Sequence, residues 1–157
     1  MSLEENKALV RRFYMEIDKG NLAAMDELVG ENYINHDPAP FPGSPPGRAG
    51  LKHAFDQFWR ATPGRHVIED QIAEGNLVVT RLRGVGKHQG EIFGIPASGN
   101  DLDVKAIAIH RIENGQLVEH WSAMDTAALL QQLGAIKLPP APKQGDADAG
   151  LPSPSLE

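Results

Sequence analysis

Histidines are the side chains of this sequence best suited to proton transfer near neutral pH. The chain contains six of them and no cysteine, which excludes thiolate nucleophiles, thiolate metal ligands and disulfides. Free imidazole has a pKa of about 6.5, so its neutral form can act as a general base at pH 7. We take His36, His110 and His120 as the catalytic candidates. For His110 and His120 the alternative is a polar side chain satisfied at a sheet rim or in a dimer interface.

The segment around His36 combines several polar side chains ahead of a proline. His36 lies between Asn35 and Asp37, so it could form an orienting pair with the carboxylate, as in catalytic dyads. The alternative is that the two flanking residues shape a turn before Pro38. Tyr33 could donate a hydrogen bond to a substrate carbonyl, or could belong to the core.

The Asn114-Gly115 hairpin decides which side chains accompany His110. A two-residue turn pairs position 110 with 119 and puts His110 and Glu119 on one face. A three-residue loop with a glycine bulge pairs 110 with 118, and His110, His120 and Ser122 then share a face. The difference matters because a one-residue shift turns every side chain of a strand to the other face of the sheet. Propensity favours the two-residue turn.

Further residues are predicted to contact a substrate. Two aromatic residues lie on the apolar stripe of a helix, as core or as pocket wall, and His88 lies in a glycine-flanked run where a structural role is the alternative. By contrast, His66 begins a strand and carries no functional signal, and Asp125 is interpreted as a helix cap. The predicted substrate-binding residues are Tyr33, Asn35, Phe55, Trp59, His88, Ser122 and Met124.

Hydrophobic periodicity gives the elements that must position these groups. It changes from a period of 3.6 residues in the first part of the chain to a period of 2 after Pro63. The stretch from 37 to 50 holds five prolines and is predicted to be a loop. The predicted helices are 2–18, a second short helix from Asn21 that Gly30 ends, 49–62 and 126–133, and the predicted strands are 66–73, 76–88, 101–112 and 116–124.

Composition limits the class of protein. The 157 residues suit one domain, predicted over 1–136, with a disordered Pro-rich tail over 137–157. Fifteen Lys and Arg against 21 Asp and Glu give a net charge of −6, which argues against nucleic acid as a partner. No apolar run is long enough to cross a membrane, and a cytoplasmic location is expected. The histidines lack metal-ligand spacing, so we predict no metal site.

Several motifs, in this order and spacing, resemble the SnoaL-like branch of the nuclear-transport-factor-two-like folds, which includes polyketide cyclases. They are Asn32–His36, Gly86–Gly90, Gly94–Pro96, His110–Trp121 and Leu129–Gly134. The resemblance covers roughly residues 5–135. It implies an α+β cone-shaped barrel, in which a curved and mostly antiparallel sheet wraps around N-terminal helices and encloses a pocket. It also implies a small, largely apolar ligand and a homodimer, and we expect chemistry without a cofactor.

In the cyclases of that family, an aspartate on the last strand acts as general base, assisted by a Gln and a His on the preceding strand. Matching on the hairpin puts these three positions at Ser122, Ala106 and Ala108, so the aspartate is missing here. We favour the three-residue loop, because the family's base and helper positions must face one cavity. The expected function is proton transfer on a carbonyl- or hydroxyl-bearing molecule (cyclase, aldol-type, lyase or isomerase), with a histidine as base. The alternative is a non-catalytic ligand-binding or interaction module.

Overall fold

The computed structural model describes residues 1–140, and the part of the predicted tail beyond residue 140 lies outside them. The described chain contains four α-helices, a short 3-10 helix at Leu22–Ala24 and five strands. The helices are α1 (Leu3–Asp18), α2 (Met25–Leu28), α3 (Gly47–Ala61) and α4 (Thr126–Gln132). The strands are β1 (Val29–Asn35), β2 (Gly64–Glu74), β3 (Leu77–Lys87), β4 (Asp101–Glu113) and β5 (Gln116–Met124).

The first helix begins and packs as its sequence pattern predicts. The Ser2 hydroxyl accepts a hydrogen bond from the Glu5 amide, and the Glu5 carboxylate accepts one from the Ser2 amide, which is a capping box. Its apolar stripe, from Val10 to Ile17, is buried. At the other end of the fold, Asp125 caps α4 by accepting from the Ala128 amide, as expected.

The predicted second helix is wrong at its end. Helical structure stops at Leu28, and Val29 and Gly30 already belong to β1. Val29 has extended dihedral angles (φ −124°, ψ 133°), which suit a β-branched residue. The sequence pattern put Val29 on the apolar face of a helix, whereas the chain buries it at the start of an edge strand. β1 was therefore missed.

All five strands join one mixed sheet in the order β1-β5-β4-β3-β2. The four predicted strands are confirmed to within two residues and are antiparallel to their neighbours, whereas β1 runs parallel to β5. The α+β class is confirmed, but the sheet is open, since β1 and β2 form its two edges within residues 1–140.

The β4–β5 hairpin combines features of both expected registers. Asn114 and Gly115 form a two-residue turn with positive φ values of 49° and 75°. A bulge then shifts the register, because Ile112 pairs with position 117 but Arg111 pairs with position 119. His110 consequently lies opposite position 120, so both predicted pairings are wrong. The predicted common face of the two histidines and Ser122 is confirmed.

Two apolar clusters fix the helices against the sheet. The larger one joins buried residues of α1, α2, α3 and β1 to buried residues of β3, β4 and β5. The smaller one lies under α4 and includes Ala61, Leu102 and Leu133. Among the described helices, none has the length and apolar character that a membrane crossing requires.

Candidate active site

A cavity of about 890 Å³ lies between the sheet and the helices α1 and α3. Its walls are largely apolar, with a small number of polar groups, which is the usual character of small-molecule sites. Eight of the ten residues predicted for the site line it: Tyr33, Asn35, Phe55, Trp59, His110, His120, Ser122 and Met124. Ala106 and Ala108, which face Met124 and Ser122 across β4 and β5, also line it.

His36 is not brought to the cavity with the other two histidines. Its Nε2 lies 2.7 Å from Glu119 Oε1, and its ring stacks on Trp121 with centroids 4.8 Å apart. Because β1 runs beside β5, His36 follows the outward-facing residues of that strand while Asn35 and Asp37 follow the inward-facing ones. The orienting pair suggested for His36 and Asp37 is therefore not formed.

His88 is also absent from the cavity wall. It is fully buried, and its Nδ1 lies 2.9 Å from the Ser98 hydroxyl oxygen, while its Nε2 has no hydrogen-bond partner. The His88 backbone also pairs with the loop, since its amide donates to Asn100 O and its carbonyl accepts from the Gly99 amide. This environment ties His88 to the loop between β3 and β4.

His110 and His120 face each other across the two central strands, with ring centroids 4.8 Å apart. Burial lowers the pKa of His110 well below its usual value, and the neighbouring His120 lowers it further. Burial also lowers the pKa of His120, to about 4, although the Asp37 carboxylate opposes that shift. Both rings are therefore neutral at pH 7. His110 Nδ1 is buried with no hydrogen-bond partner.

Asn35 orients His120. The Asn35 Oδ1 lies 3.0 Å from His120 Nδ1 and also accepts a hydrogen bond of 3.0 Å from the Asp37 amide. Since an amide oxygen only accepts, Nδ1 carries the proton of the His120 ring, and Nε2 holds its lone pair. His120 can thus accept a hydrogen bond from a ligand but is a weak base.

Asp37 places a carboxylate beside Ser122. One carboxylate oxygen of Asp37 accepts a 2.7 Å hydrogen bond from the Ser122 amide, and Asp37 lines the cavity. Parallel pairing explains this placement. Asn35 lies opposite His120 in the ladder, and two residues further along each chain Asp37 meets Ser122. Sequence reasoning missed this placement because β1 itself was missed.

Two tyrosine hydroxyls complete the polar lining. Tyr14 and Tyr33 are both buried and both line the cavity, and neither hydroxyl bonds to another described residue. Burial raises the pKa of each phenol, with a further contribution from Asp18 at Tyr14 and from Tyr14 at Tyr33. Both remain protonated and can donate hydrogen bonds to an oxygen in the cavity.

A second histidine–carboxylate pair lies on the β2 side of the cavity. His66 Nδ1 is 2.6 Å from Asp18 Oδ1, and the His66 amide donates to Asp18 Oδ2 at 2.9 Å. Both residues line the cavity. The signal that could have revealed this pair is Asp18 itself. A carboxylate in the last turn of α1 opposes the helix dipole, so its position needs a partner.

Within the described residues, no group of three or more His, Asp or Glu side chains is arranged to hold a metal ion. The cavity instead offers one carboxylate on the β5 side, two neutral imidazoles, two phenols and the His66–Asp18 pair. Such a set can bind an oxygen-bearing apolar molecule and move a proton on it.

An open mixed sheet whose helix-covered face encloses an apolar cavity with a few polar groups defines this chain as an α+β small-molecule-binding domain. Comparison with known proteins gives the family. The model of the SnoaL-like polyketide cyclase family matches residues 8–133, and the chain belongs to that family. The resemblance found in the sequence is thereby confirmed, and it supports a cyclase-type function in broad outline.

The chain is similar to characterised and solved proteins over most of its length. It is 27% identical over 136 residues to aklanonic acid methyl ester cyclase DnrD from Streptomyces peucetius, a match that covers 80% of this chain and 88% of that one. TsrD from Streptomyces laurentii is 28% identical, with a TM-score of 0.77 over 87% of this chain and 99% of its own. A candidate polyketide cyclase from Bacillus cereus is 31% identical, with a TM-score of 0.72 over 85% and 83%.

Proposed function

We propose that this protein is a cofactor-independent enzyme that removes a proton from a carbon next to a carbonyl and closes a ring by intramolecular aldol-type addition. One observation carries the proposal. The Asp37 carboxylate is held by the Ser122 amide at 2.7 Å, beside the position where the family's base aspartate falls. The base is thus supplied from the segment after β1 instead of from β5. This replaces our sequence-based expectation of a histidine base, because a carboxylate, the type of group that serves as base in the family's cyclases, lines the cavity beside position 122.

The proposed step moves one proton and forms one carbon–carbon bond. Asp37 takes the proton from the carbon, and the electron pair of the broken C–H bond becomes the enolate. The enolate carbon then attacks a second carbonyl of the same molecule, whose oxygen gains the negative charge and is protonated to an alcohol as Asp37 returns its proton. Tyr33 and Tyr14, as neutral donors in a buried site, would stabilise the developing oxyanion.

Hydrogen–deuterium exchange tests the proton removal without knowledge of the natural substrate. The probe is 2-tetralone, an apolar bicyclic ketone that fits a cavity of about 890 Å³. We expect the protein to accelerate deuterium incorporation next to the carbonyl in D₂O. Asp37→Asn should reduce the acceleration by about 10²- to 10⁴-fold, the usual contribution of general base catalysis. Asp101→Asn, which changes an exposed carboxylate paired with Lys87 outside the cavity, is the matched control. If the ketone binds but its deuterium exchange is no faster than in buffer without protein, the proposal is wrong.

The alternative function, a non-catalytic ligand-binding module, has its own supporting observation. Ala106, Ala108 and Ser122 occupy three adjoining positions of the wall and enlarge the cavity without activating a ligand. Binding of 2-tetralone without any accelerated exchange would favour this function.

We also propose that two chains associate through the outer face of the sheet. A row of apolar side chains crosses four strands in register on that face: Ile72, Val79, Ile109 and Trp121. Ile72 is 67% exposed, and the neighbouring Ile107 is 48% exposed. Light scattering on the purified protein should give the mass of a dimer, and the Ile107→Glu variant should give the mass of a monomer. A monomeric wild-type protein at micromolar concentration would contradict the association.

A further inference from the structure

The His66–Asp18 pair is a built polar site on the β2 side of the cavity, away from Asp37. Three strand spacings of about 4.8 Å separate β2 from β5 in the sheet. The pair is partly buried, with 24% and 20% of the two side chains exposed. Both carboxylate oxygens of Asp18 form hydrogen bonds with His66, one with ring Nδ1 and one with the backbone amide. The ring is therefore fixed in place, and its Nδ1 is committed to Asp18.

The other ring nitrogen, Nε2, makes no hydrogen bond to a described residue and is not enclosed by the protein, while the His66 ring lines the cavity. Next to it the wall is open. Gly84 is the cross-strand partner of His66 and so faces the same side of the sheet. A Cβ at Gly84 would meet no other atom within 4 Å. The fold thus leaves free space beside an oriented imidazole.

A purely structural role explains this arrangement poorly. A carboxylate in the last turn of a helix is destabilising by a few tenths of a kcal/mol to about 1 kcal/mol, and α1 has no basic residue in that turn. The aromatic neighbours of the ring are Tyr14 at 4.8 Å and Phe55 at 6.3 Å, and contact with such neighbours does not by itself require a histidine. The histidine and its carboxylate add polarity where packing does not call for it.

From this geometry we infer that His66, oriented by Asp18, binds an oxygen substituent of the ligand at the end of the cavity remote from Asp37. The ligand is then an elongated, largely apolar molecule with one oxygen function near Asp37 and another near His66. With Asp18 accepting from Nδ1–H, Nε2 is the atom of the His66 ring that is available for a hydrogen bond with a ligand hydroxyl. His66 is a binding residue and Asp18 a positioning residue. The inference shares the cavity with the proposed function but needs no catalysis.

The test uses two ligands of nearly the same shape, 2-naphthol and 2-methylnaphthalene, which differ in a hydroxyl and a methyl group. Their dissociation constants are measured by NMR titration for the wild type and for variants. His66→Phe should lower the preference for naphthol over methylnaphthalene by about tenfold, the loss of one hydrogen bond. His53→Phe, on α3 and outside the cavity wall, is the matched control and should leave the preference unchanged.

Three further readouts separate binding from structure. The ¹⁵N shift of His66 Nε2 should respond to 2-naphthol and not to 2-methylnaphthalene. Asp18→Asn should alter the ring tautomer seen by ¹⁵N NMR and reduce the preference without unfolding the protein. Gly84→Val, which fills the free space, should weaken both ligands alike.

Several outcomes would overturn the inference. One is an unchanged preference in a folded His66→Phe protein. Another is a loss of the preference in Asp37→Asn instead, which would place the hydroxyl at the opposite end. Failure of both ligands to bind the wild type would also refute it. Because no outcome depends on deuterium exchange, the proposed base and this subsite can fail independently.

Discussion

Moving the carboxylate from Asp37 to the position of Ser122 should restore activity that the loss of Asp37 removes. The two positions are adjacent, because the Ser122 amide donates to the Asp37 carboxylate at 2.7 Å. The side chain of residue 122 faces the cavity opposite Ala108. In the double variant Asp37→Asn with Ser122→Asp, we expect deuterium exchange on 2-tetralone within about tenfold of the wild type, since a tenfold loss corresponds to only 1.4 kcal/mol of misplacement.

Ser122→Asp alone should behave differently, because two carboxylates would then occupy one site. At a separation of about 5 Å and an effective dielectric constant of 20, their repulsion is about 3 kcal/mol, or roughly two pKa units. The pair would retain a proton to higher pH. In a plot of exchange rate against pH, the decline on the acidic side should therefore move to higher pH by roughly two units. No gain in rate is expected at pH 7.

The assay is deuterium incorporation followed by NMR across pH 4 to 9, with Ser122→Asn in the Asp37→Asn background as the uncharged control. That control should stay inactive. A double variant that remains as slow as Asp37→Asn would refute the prediction. Such a result would mean that a carboxylate at position 122 does not reach the carbon on which Asp37 is proposed to act.

Three further predictions concern stability. His110→Phe should raise the free energy of unfolding, measured by urea titration, by about 1–3 kcal/mol, because it removes a buried ring nitrogen that has no hydrogen-bond partner. A loss of stability would show that this nitrogen does form a hydrogen bond in the folded protein. The folded-state pKa of His120, about 4, lies below its unfolded value near 6.5, so its contribution is complete above pH 6.5 and declines as the pH falls toward 4. His120→Gln should flatten the stability profile in that window, and an equally steep profile would contradict the assignment. Gly47→Ala should destabilise the fold by more than 2 kcal/mol, because φ is +68° and a Cβ would lie 2.4 Å from the Glu31 carbonyl oxygen. Gly43→Ala, where φ is +73° and a Cβ would meet no atom within 4 Å, should cost about 1 kcal/mol. Equal decreases in melting temperature for the two variants would refute the contact at Gly47.

Much of the fold follows from periodicity alone. The apolar stripes of α1 and α3 and the alternation in β2 to β5 predict those elements nearly to the residue. The sequence pattern did not predict β1, because its seven residues follow a single helical turn and Val29 continues the apolar spacing of that turn. Its parallel pairing with β5 is a long-range contact without a local signal. The bulge between Arg111 and Ile112 was also not predicted, because it too has no local sequence signal.

The limits of the site prediction follow from those two omissions. Side chains on the central strands, such as His110 and Ser122, were placed correctly because the choice of face depended only on a common cavity. Asp37 could not be placed without β1, and His66 needed the end of α1 to bring Asp18 within 2.6 Å. The neutrality of His120 reflects burial, which strand alternation suggests but cannot quantify.

A crystal structure with 2-tetralone bound would show whether Asp37 reaches the reacting carbon. We expect density in the cavity, with the carbon next to the carbonyl within about 3.5 Å of a carboxylate oxygen of Asp37, a near-attack distance. The carbonyl oxygen should lie within hydrogen-bond distance of the Tyr33 or Tyr14 hydroxyl. A ketone surrounded only by apolar side chains, with Asp37 turned to solvent, would contradict the assignment of Asp37 as base and would favour a non-catalytic binding protein.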